Sequence, residues 1–334
     1  MSESILEIND LHVEFATPRG VVHAVRGVSC SVAAGEFLGI VGESGCGKST
    51  LLRSVLGLLP SQARITRGDI VFKGANLSGA GRSRLRQARG RSIAMVFQDP
   101  LTALNPVMTV GEQIAEAPWQ RLGRTRCQAR ERALELMRRV GIPAPDRRYH
   151  AYPHELSGGL RQRVLIATAL SAEPDVLLCD EPTTALDVTI QAQILRLLRS
   201  ISEEQHLSVI YVTHDLAVVA QLCHRVAVMY AGQFVETGAV DAVFRDPRHP
   251  YTAGLIASVP DVRRARATLS PIPGSPPDLS APPAGCQFHP RCAYRQGDCL
   301  AGAFPLLPIP GDRATACIHS NLLAERDAMA TMGA

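Results

Sequence analysis

Short apolar runs bounded by turn residues recur along this chain, and their spacing divides it into regions. Gly35-Glu36-Phe37-Leu38-Gly39-Ile40-Val41 reads as a buried strand; a glycine-rich turn follows, and over residues 50–59 the apolar positions fall at helical spacing. Further β-rich apolar runs at 92–97, 176–179, 208–212 and 226–230 predict strands. Between the runs at 176 and 208, Ile190, Ile194, Leu197, Leu198 and Ile201 share one face of an amphipathic helix. Strands alternating with helices predict an α/β fold whose sheet is largely parallel and covered on both sides.

Two stretches depart from that pattern. Residues 99–162 are helical in spacing and Arg-rich with no convincing strand, which predicts a helical subdomain splitting the sheet domain into 1–98 and 163–245. After that, Pro271, Pro273, Pro276, Pro277, Pro282 and Pro283 predict an extended, stiff segment within a C-terminal extension, 246–334, that ends in a small cysteine-rich module. A length of 334 residues suits one large α/β unit with an appendage. The net charge of +4 comes with arginines scattered through amphipathic segments, so no nucleic-acid partner is expected. The start, Met1-Ser2-Glu3-Ser4, lacks a basic and apolar leader, and no uncharged apolar run nears the ~18–20 residues that span a bilayer; neither export nor a membrane span is expected.

Only two of the 35 basic residues are lysines, so Lys48, inside a motif, stands out. Gly42-Glu43-Ser44-Gly45-Cys46-Gly47-Lys48-Ser49 fits the phosphate-binding pattern G-x-x-x-x-G-K-[ST], in which backbone N–H groups and a helix N-terminus wrap phosphates. Lys48 would reach the β- and γ-phosphates, Ser49 would offer its hydroxyl to Mg²⁺, and Thr50 would add a phosphate contact from the same helix start. The run Val176-Leu177-Leu178-Cys179-Asp180-Glu181 sets two carboxylates at the C-terminal end of an apolar strand, where open α/β sheets bind ligands. Asp180 suits the Mg²⁺ shell, and Glu181 suits a general base acting on water. Leu156-Ser157-Gly158-Gly159-Leu160-Arg161-Gln162 opens a helix with a serine and two glycines, a second N-terminus able to face an anion.

With these three motifs in this order, the sequence resembles the ABC ATPase superfamily. The resemblance implies a P-loop NTPase cassette: a RecA-like parallel core, an antiparallel β part and an inserted helical subdomain. It further implies roles for Gln98 as the Q-loop glutamine at the nucleotide and Mg²⁺, Asp187 in the D-loop, His214 as the switch histidine and Phe15 as the aromatic stacked on adenine, where a core phenylalanine is the alternative. In such families the ATP on one P-loop is covered by Ser157, Gly158, Gly159 and Gln162 of a second cassette arranged head to tail, so a single chain carries half of each site.

The more specific resemblance is to the ATPases of dipeptide and oligopeptide importers. It rests on Val96-Phe97-Gln98-Asp99-Pro100-Leu101-Thr102-Ala103-Leu104-Asn105-Pro106, on Tyr152-Pro153-His154-Glu155 before the Leu-Ser-Gly-Gly motif, on Asp180-Glu181-Pro182-Thr183-Thr184-Ala185-Leu186-Asp187-Val188-Thr189, on His249-Pro250-Tyr251-Thr252 and on Gly285-Cys286-Gln287-Phe288-His289-Pro290-Arg291-Cys292. It implies a second, different ATPase chain, two transmembrane permease subunits, an extracytoplasmic binding protein, and a peripheral place at the cytoplasmic face of the bacterial inner membrane. Residues 98–111 would link the nucleotide to the permease. Relatives that handle nickel complexes or glutathione, and soluble ABC ATPases without membrane partners, are the alternatives. Repair and condensation ATPases place a long coiled coil between the P-loop and the Leu-Ser-Gly-Gly motif, and here no extended heptads intervene.

Of nine cysteines, Cys286, Cys292, Cys299 and Cys317 crowd the C-terminal end in the pattern C-x5-C-x6-C-x17-C. Four thiolates on a loop-rich segment without a leader favour a metal over disulfides, and both zinc and iron accept them. The short C-x2–4-C hooks typical of structural zinc are absent. The resemblance to peptide-importer ATPases implies a [4Fe–4S] cluster, with zinc as the alternative and unligated buried cysteines as another.

Overall fold

A computed structural model of the chain describes residues 4–78, 85, 88–183, 186–259 and 271–321. Thr184 and Ala185 of the D-loop segment, and 260–270 and 322–334 of the C-terminal extension, lie outside the described residues. In chain order, strands β1 (Ser4–Thr17) and β2 (Gly20–Ala33) precede β3 (Phe37–Val41) and helix α1 (Lys48–Val55). Next come β4 (Ala63–Phe72), β5 (Ala75–Asn76) and β6 (Ile93–Val96). Helices then run without a strand: α2 (Pro100–Ala103), α3 (Val110–Gln120), α4 (Arg126–Arg139), α5 (Pro145–Arg148) and α6 (Gly158–Ser171). The alternation resumes with β7 (Val176–Asp180), α7 (Val188–Gln205), β8 (Ser208–Thr213), α8 (Leu216–Leu222) and β9 (Arg225–Tyr230). Last come β10 (Gln233–Ala239), α9 (Val240–Arg245), α10 (Pro250–Ala257), β11 (Leu307–Ile309) and β12 (Arg313–Thr315).

The described residues fall into two contact-dense units. One comprises Met1–Glu7, Ser31–Phe37 and Val71–Val212; the other comprises Ile8–Cys30, Leu38–Ile70 and Thr213–Ala334.

In the first unit β6, β7 and β8 are parallel neighbours, with Val96 opposite Cys179 and Cys179 opposite Tyr211. Every residue of the three strands is buried, as parallel strands covered on both faces require. Helix α7 lays Ile194, Leu195, Leu198 and Ile201 into the core. Thr109 and Glu112 form a capping box at the start of α3, and Thr125 and Gln128 form another at the start of α4, each satisfying two backbone N–H groups of its helix start.

In the second unit β3 and β9 are parallel, β9 and β10 antiparallel, and β12 continues the sheet antiparallel to β10, with β11 outermost. The C-terminal segment thus extends the sheet that holds the P-loop strand, on the far side of β9 and β10 from it. A buried carboxylate fixes that join: Glu236, fully buried, accepts the backbone N–H groups of Arg248 at 2.8 Å and His249 at 2.9 Å and the Arg313 guanidinium at 3.0 Å. Burial raises the Glu236 pKa, and these donors oppose the shift.

Candidate functional site

The P-loop geometry follows from its glycines. Gly42, at φ +157°, would press a Cβ to 2.1 Å of the Met229 carbonyl oxygen, and Gly47, at φ +107°, to 2.3 Å of the Ala24 oxygen, so neither position accepts a side chain. Gly47 caps α1, whose first turn carries no acidic residue and leaves its N-terminal dipole uncompensated. Lys48 is 5% exposed and donates from Nζ to the Gly42 oxygen at 2.7 Å and the Glu43 oxygen at 2.9 Å. Its ammonium therefore sits in the mouth of the loop. Ser44 and Gly45 are exposed, Ser49 and Thr50 half-buried, and Cys46 is buried with its thiol pKa raised by desolvation. In the same unit, His214 is exposed just beyond β8. Phe15 shares the face of the buried Leu11 and Val13 on β1 but is only half-buried near the strand end.

In the other unit the parallel register brings the ends of β6 and β7 together. Asp180 is fully buried at the end of β7. Glu181 follows it at φ +46°, a left-handed conformation uncommon for a residue with a side chain, and its N–H donates to the Val212 oxygen at 3.0 Å. Sparsely populated backbone of this kind clusters at active sites. The exposed Gln98, beyond β6, donates from Nε2 to Glu181 Oε2 at 3.5 Å. Gln98, Asp180 and Glu181 therefore form one group at a strand-end edge.

Ser157 begins α6 as an exposed N-cap whose side chain makes no capping hydrogen bond. A Cβ on Gly158 would meet nothing within 4 Å, and one on Gly159 would make only an ordinary 3.4 Å contact with Ile190. The packing of this chain therefore leaves room for a side chain at either place. Gln162 is buried, with no hydrogen-bond partner for Nε2 among the described residues. Asp187 caps α7, its Oδ1 accepting from the Ile190 N–H at 3.0 Å.

Cys286, Cys292, Cys299 and Cys317 line one narrow cavity of 20 Å³ with His289, His319 and Phe288. All four thiols are free of disulfides. Burial raises the thiol pKa of Cys286 and Cys292, and pushes that of Cys317 up to about 12. Two of these lining residues, Cys299 and His319, together with Asp298 place three donor atoms within 4.8 Å of one another. These three residues, one carboxylate, one thiol and one imidazole, could hold a metal ion.

Within the segment 98–111, the sequence did not show which apolar side chains face outward. Leu101 is 63% and Val107 79% exposed in the segment after Gln98, whereas Leu104 is buried. A groove of 420 Å³ lined by Met108, Glu112, Trp119, Arg126, Arg130 and Tyr149 lies in the same unit. The exposure of such apolar side chains has no sequence signal apart from their position after the Q-loop.

A glycine-bounded P-loop on a parallel strand, an Asp-Glu strand end and an uncapped Ser-Gly-Gly helix start define an ABC-type ATP-binding cassette. Residues 25–184 match the family described as ABC transporter, and residues 235–299 match the oligopeptide/dipeptide transporter C-terminal region. The chain is 51% identical over 298 residues to the dipeptide transport ATP-binding protein DppD of Bacillus subtilis (strain 168), covering 89% of each chain. It is 50% identical over 292 residues to the oligopeptide transport ATP-binding protein OppD of the same organism, covering 87% of this chain and 82% of that one. Among solved structures, the dimeric post-hydrolysis state of an ATP-binding cassette bound to ADP and Pi superposes with a TM-score of 0.64 at 28% identity, covering 70% of this chain and 98% of that one. The chain belongs to the family of ATP-binding subunits of oligopeptide and dipeptide ABC transporters. No helix among the described residues is long and apolar enough to cross a membrane.

Proposed function

We propose that this chain is the ATP-hydrolysing motor subunit of a bacterial peptide importer, working as one of two cassettes beneath two permease subunits that an extracytoplasmic binding protein supplies. The observation that carries the reading is the Ser157–Gly159 helix start, an anion-ready N-terminus that its own fold neither caps nor fills. A second, different ATPase chain is the partner whose nucleotide it covers, with residues 99–162 presenting it and 1–98 with 163–245 forming the ATP-binding core. Lys48 and the loop N–H groups bind the β- and γ-phosphates, with Gly42 to Gly47 wrapping them, and Phe15 stacks on adenine. Ser49, Asp180 and Gln98 would hold Mg²⁺, which would supply positive charge at the phosphates. Glu181 takes the proton of the attacking water, His214 steadies the γ-phosphate, and Asp187 meets the partner cassette. The subunit lies peripherally at the cytoplasmic face of the membrane. Reconstitution with permeases and a binding protein tests this: peptide-stimulated ATP hydrolysis with peptide uptake is expected, whereas ATP hydrolysis indifferent to the membrane partners would overturn the importer reading.

The exposed Leu101 and Val107, in the segment after Gln98, make the permease contact. Leu104, within the same segment 98–111, is buried, so its substitution would report on packing. Val107→Asp and Pro106→Asp are expected to cut peptide uptake by about ten-fold while ATP binding by the isolated subunit is unchanged, since a charge in an apolar contact costs several kcal/mol. Uptake at the wild-type rate would remove this segment from the coupling path.

The four C-terminal thiols hold a [4Fe–4S] cluster that braces residues 286–317. Anaerobically purified protein is expected to be brown with about four irons per chain. Colourless protein with about one zinc would replace iron by zinc at the same ligands, and metal-free protein would refute both.

A further inference from the structure

Arg291 sits in the short helical turn His289–Arg291 between Cys286 and Cys292, yet its guanidinium reaches the P-loop. Nη1 donates to Glu43 Oε2 at 2.6 Å and Nη2 to Glu43 Oε1 at 3.0 Å, a two-pronged pair with the Arg291 side chain 4% exposed. Nε donates to the Pro273 oxygen at 2.8 Å, and the cation lies 5.8 Å from the Tyr230 ring centre and 5.9 Å from that of Phe288. Glu43 is held a second time: its N–H donates to Tyr251 Oη at 2.9 Å. Tyr251 packs 4.5 Å from Tyr230 and 5.4 Å from Phe288, centre to centre, in the same aromatic cluster. The carbonyl of Glu43 in turn accepts from Lys48 Nζ. A continuous set of bonds therefore runs from the residue before Cys292, through Glu43, to the lysine in the loop mouth.

We infer that Arg291 is a positioning residue of the nucleotide site, through which the cysteine-bearing loop fixes the P-loop backbone at Glu43 and so sets affinity for ATP. The inference rests on the P-loop being the ATP site, as proposed above. A two-pronged guanidinium is directional, so it holds the loop at one distance and angle where a salt-bridged lysine would not. The Arg291 side chain is 4% exposed and that of Glu43 28%, so solvent reaches the pair from the Glu43 side alone.

The test is ATP affinity of the full-length chain by titration, together with KM for ATP and kcat in the assembled importer. Arg291→Met, which keeps an apolar stem against Tyr230 and Phe288, is expected to weaken ATP binding about ten-fold and to raise KM more than it lowers kcat. Arg291→Lys should recover part of the loss. Glu43→Ala should reproduce the Arg291→Met effect, and the double variant should be no worse than either single one, because all three break the same contact. Wild-type affinity in Arg291→Met would overturn the inference, as would additive losses in the double variant. If Arg291→Met loses its metal or its melting transition, Glu43→Ala decides alone, since it leaves the cysteine loop's own residues intact: wild-type affinity there overturns the proposal. Failure of the unsubstituted chain to bind ATP would instead overturn the P-loop reading itself.

Discussion

Glu181→Gln in the assembled importer is expected to lower ATP turnover by about 10²- to 10⁴-fold, the range that a positioned general base contributes, while ATP still binds. The substitution keeps the shape of the side chain and removes only its ability to take a proton from water. Its backbone, at φ +46° and tied through N–H to the Val212 oxygen, has no reason to move. The Gln98 amide can still donate to the oxygen of the introduced carboxamide. The nucleotide-bound, closed pair should therefore accumulate, visible as stable retention of radiolabelled ATP alongside loss of phosphate release. Phosphate release within about five-fold of wild type would assign the base to another residue.

Lys48→Ala is expected to act at an earlier step. Its ammonium is almost fully buried and bonded to two loop carbonyls, so deletion removes a charge-assisted phosphate contact and leaves the Gly42 and Glu43 oxygens short of a donor. A hydrogen bond to a charged group contributes about 1.5–3 kcal/mol, which corresponds to roughly 10- to 100-fold weaker ATP binding. Binding and hydrolysis should fall together, in contrast to Glu181→Gln. Calorimetry at matched Mg²⁺ decides the matter, and an unchanged dissociation constant would dissociate Lys48 from the phosphates.

The strand–loop–helix unit and helix α7 were legible because their patterns are local. Even there, the apolar spacing from 50 to 59 overshoots α1, which ends at Val55: Gly57 turns at φ +57° and the Leu58 N–H returns to the Arg53 oxygen. Strand β1 was not legible. Its buried positions Leu6 and Ile8 change phase to Leu11 and Val13 at Asp10, whose φ of +46° breaks the alternation into two halves too short to read as one strand. The P-loop, Asp-Glu and Ser-Gly-Gly motifs could be found from residue order alone, because phosphate-binding backbone demands glycine at fixed places. Nothing periodic reports that Arg291 meets Glu43, 248 positions away, or that Arg313 meets Glu236; long-range pairs leave no local trace. The cysteine spacing showed four possible ligands, and the structure adds that they line one cavity.

The uncapped helix start at Ser157 also bears on cellular economy. On the proposed reading, the phosphate-facing surface of each ATP site is shared between two polypeptides, so a newly made or orphaned copy of this chain has nothing to complete its own nucleotide site. On that reading such a copy would hydrolyse little ATP without any inhibitor, and surplus synthesis would carry little futile consumption of ATP. The number of working motors would then follow the scarcest member of the proposed complex, and overproducing this chain alone would leave both uptake and the ATP pool where they were.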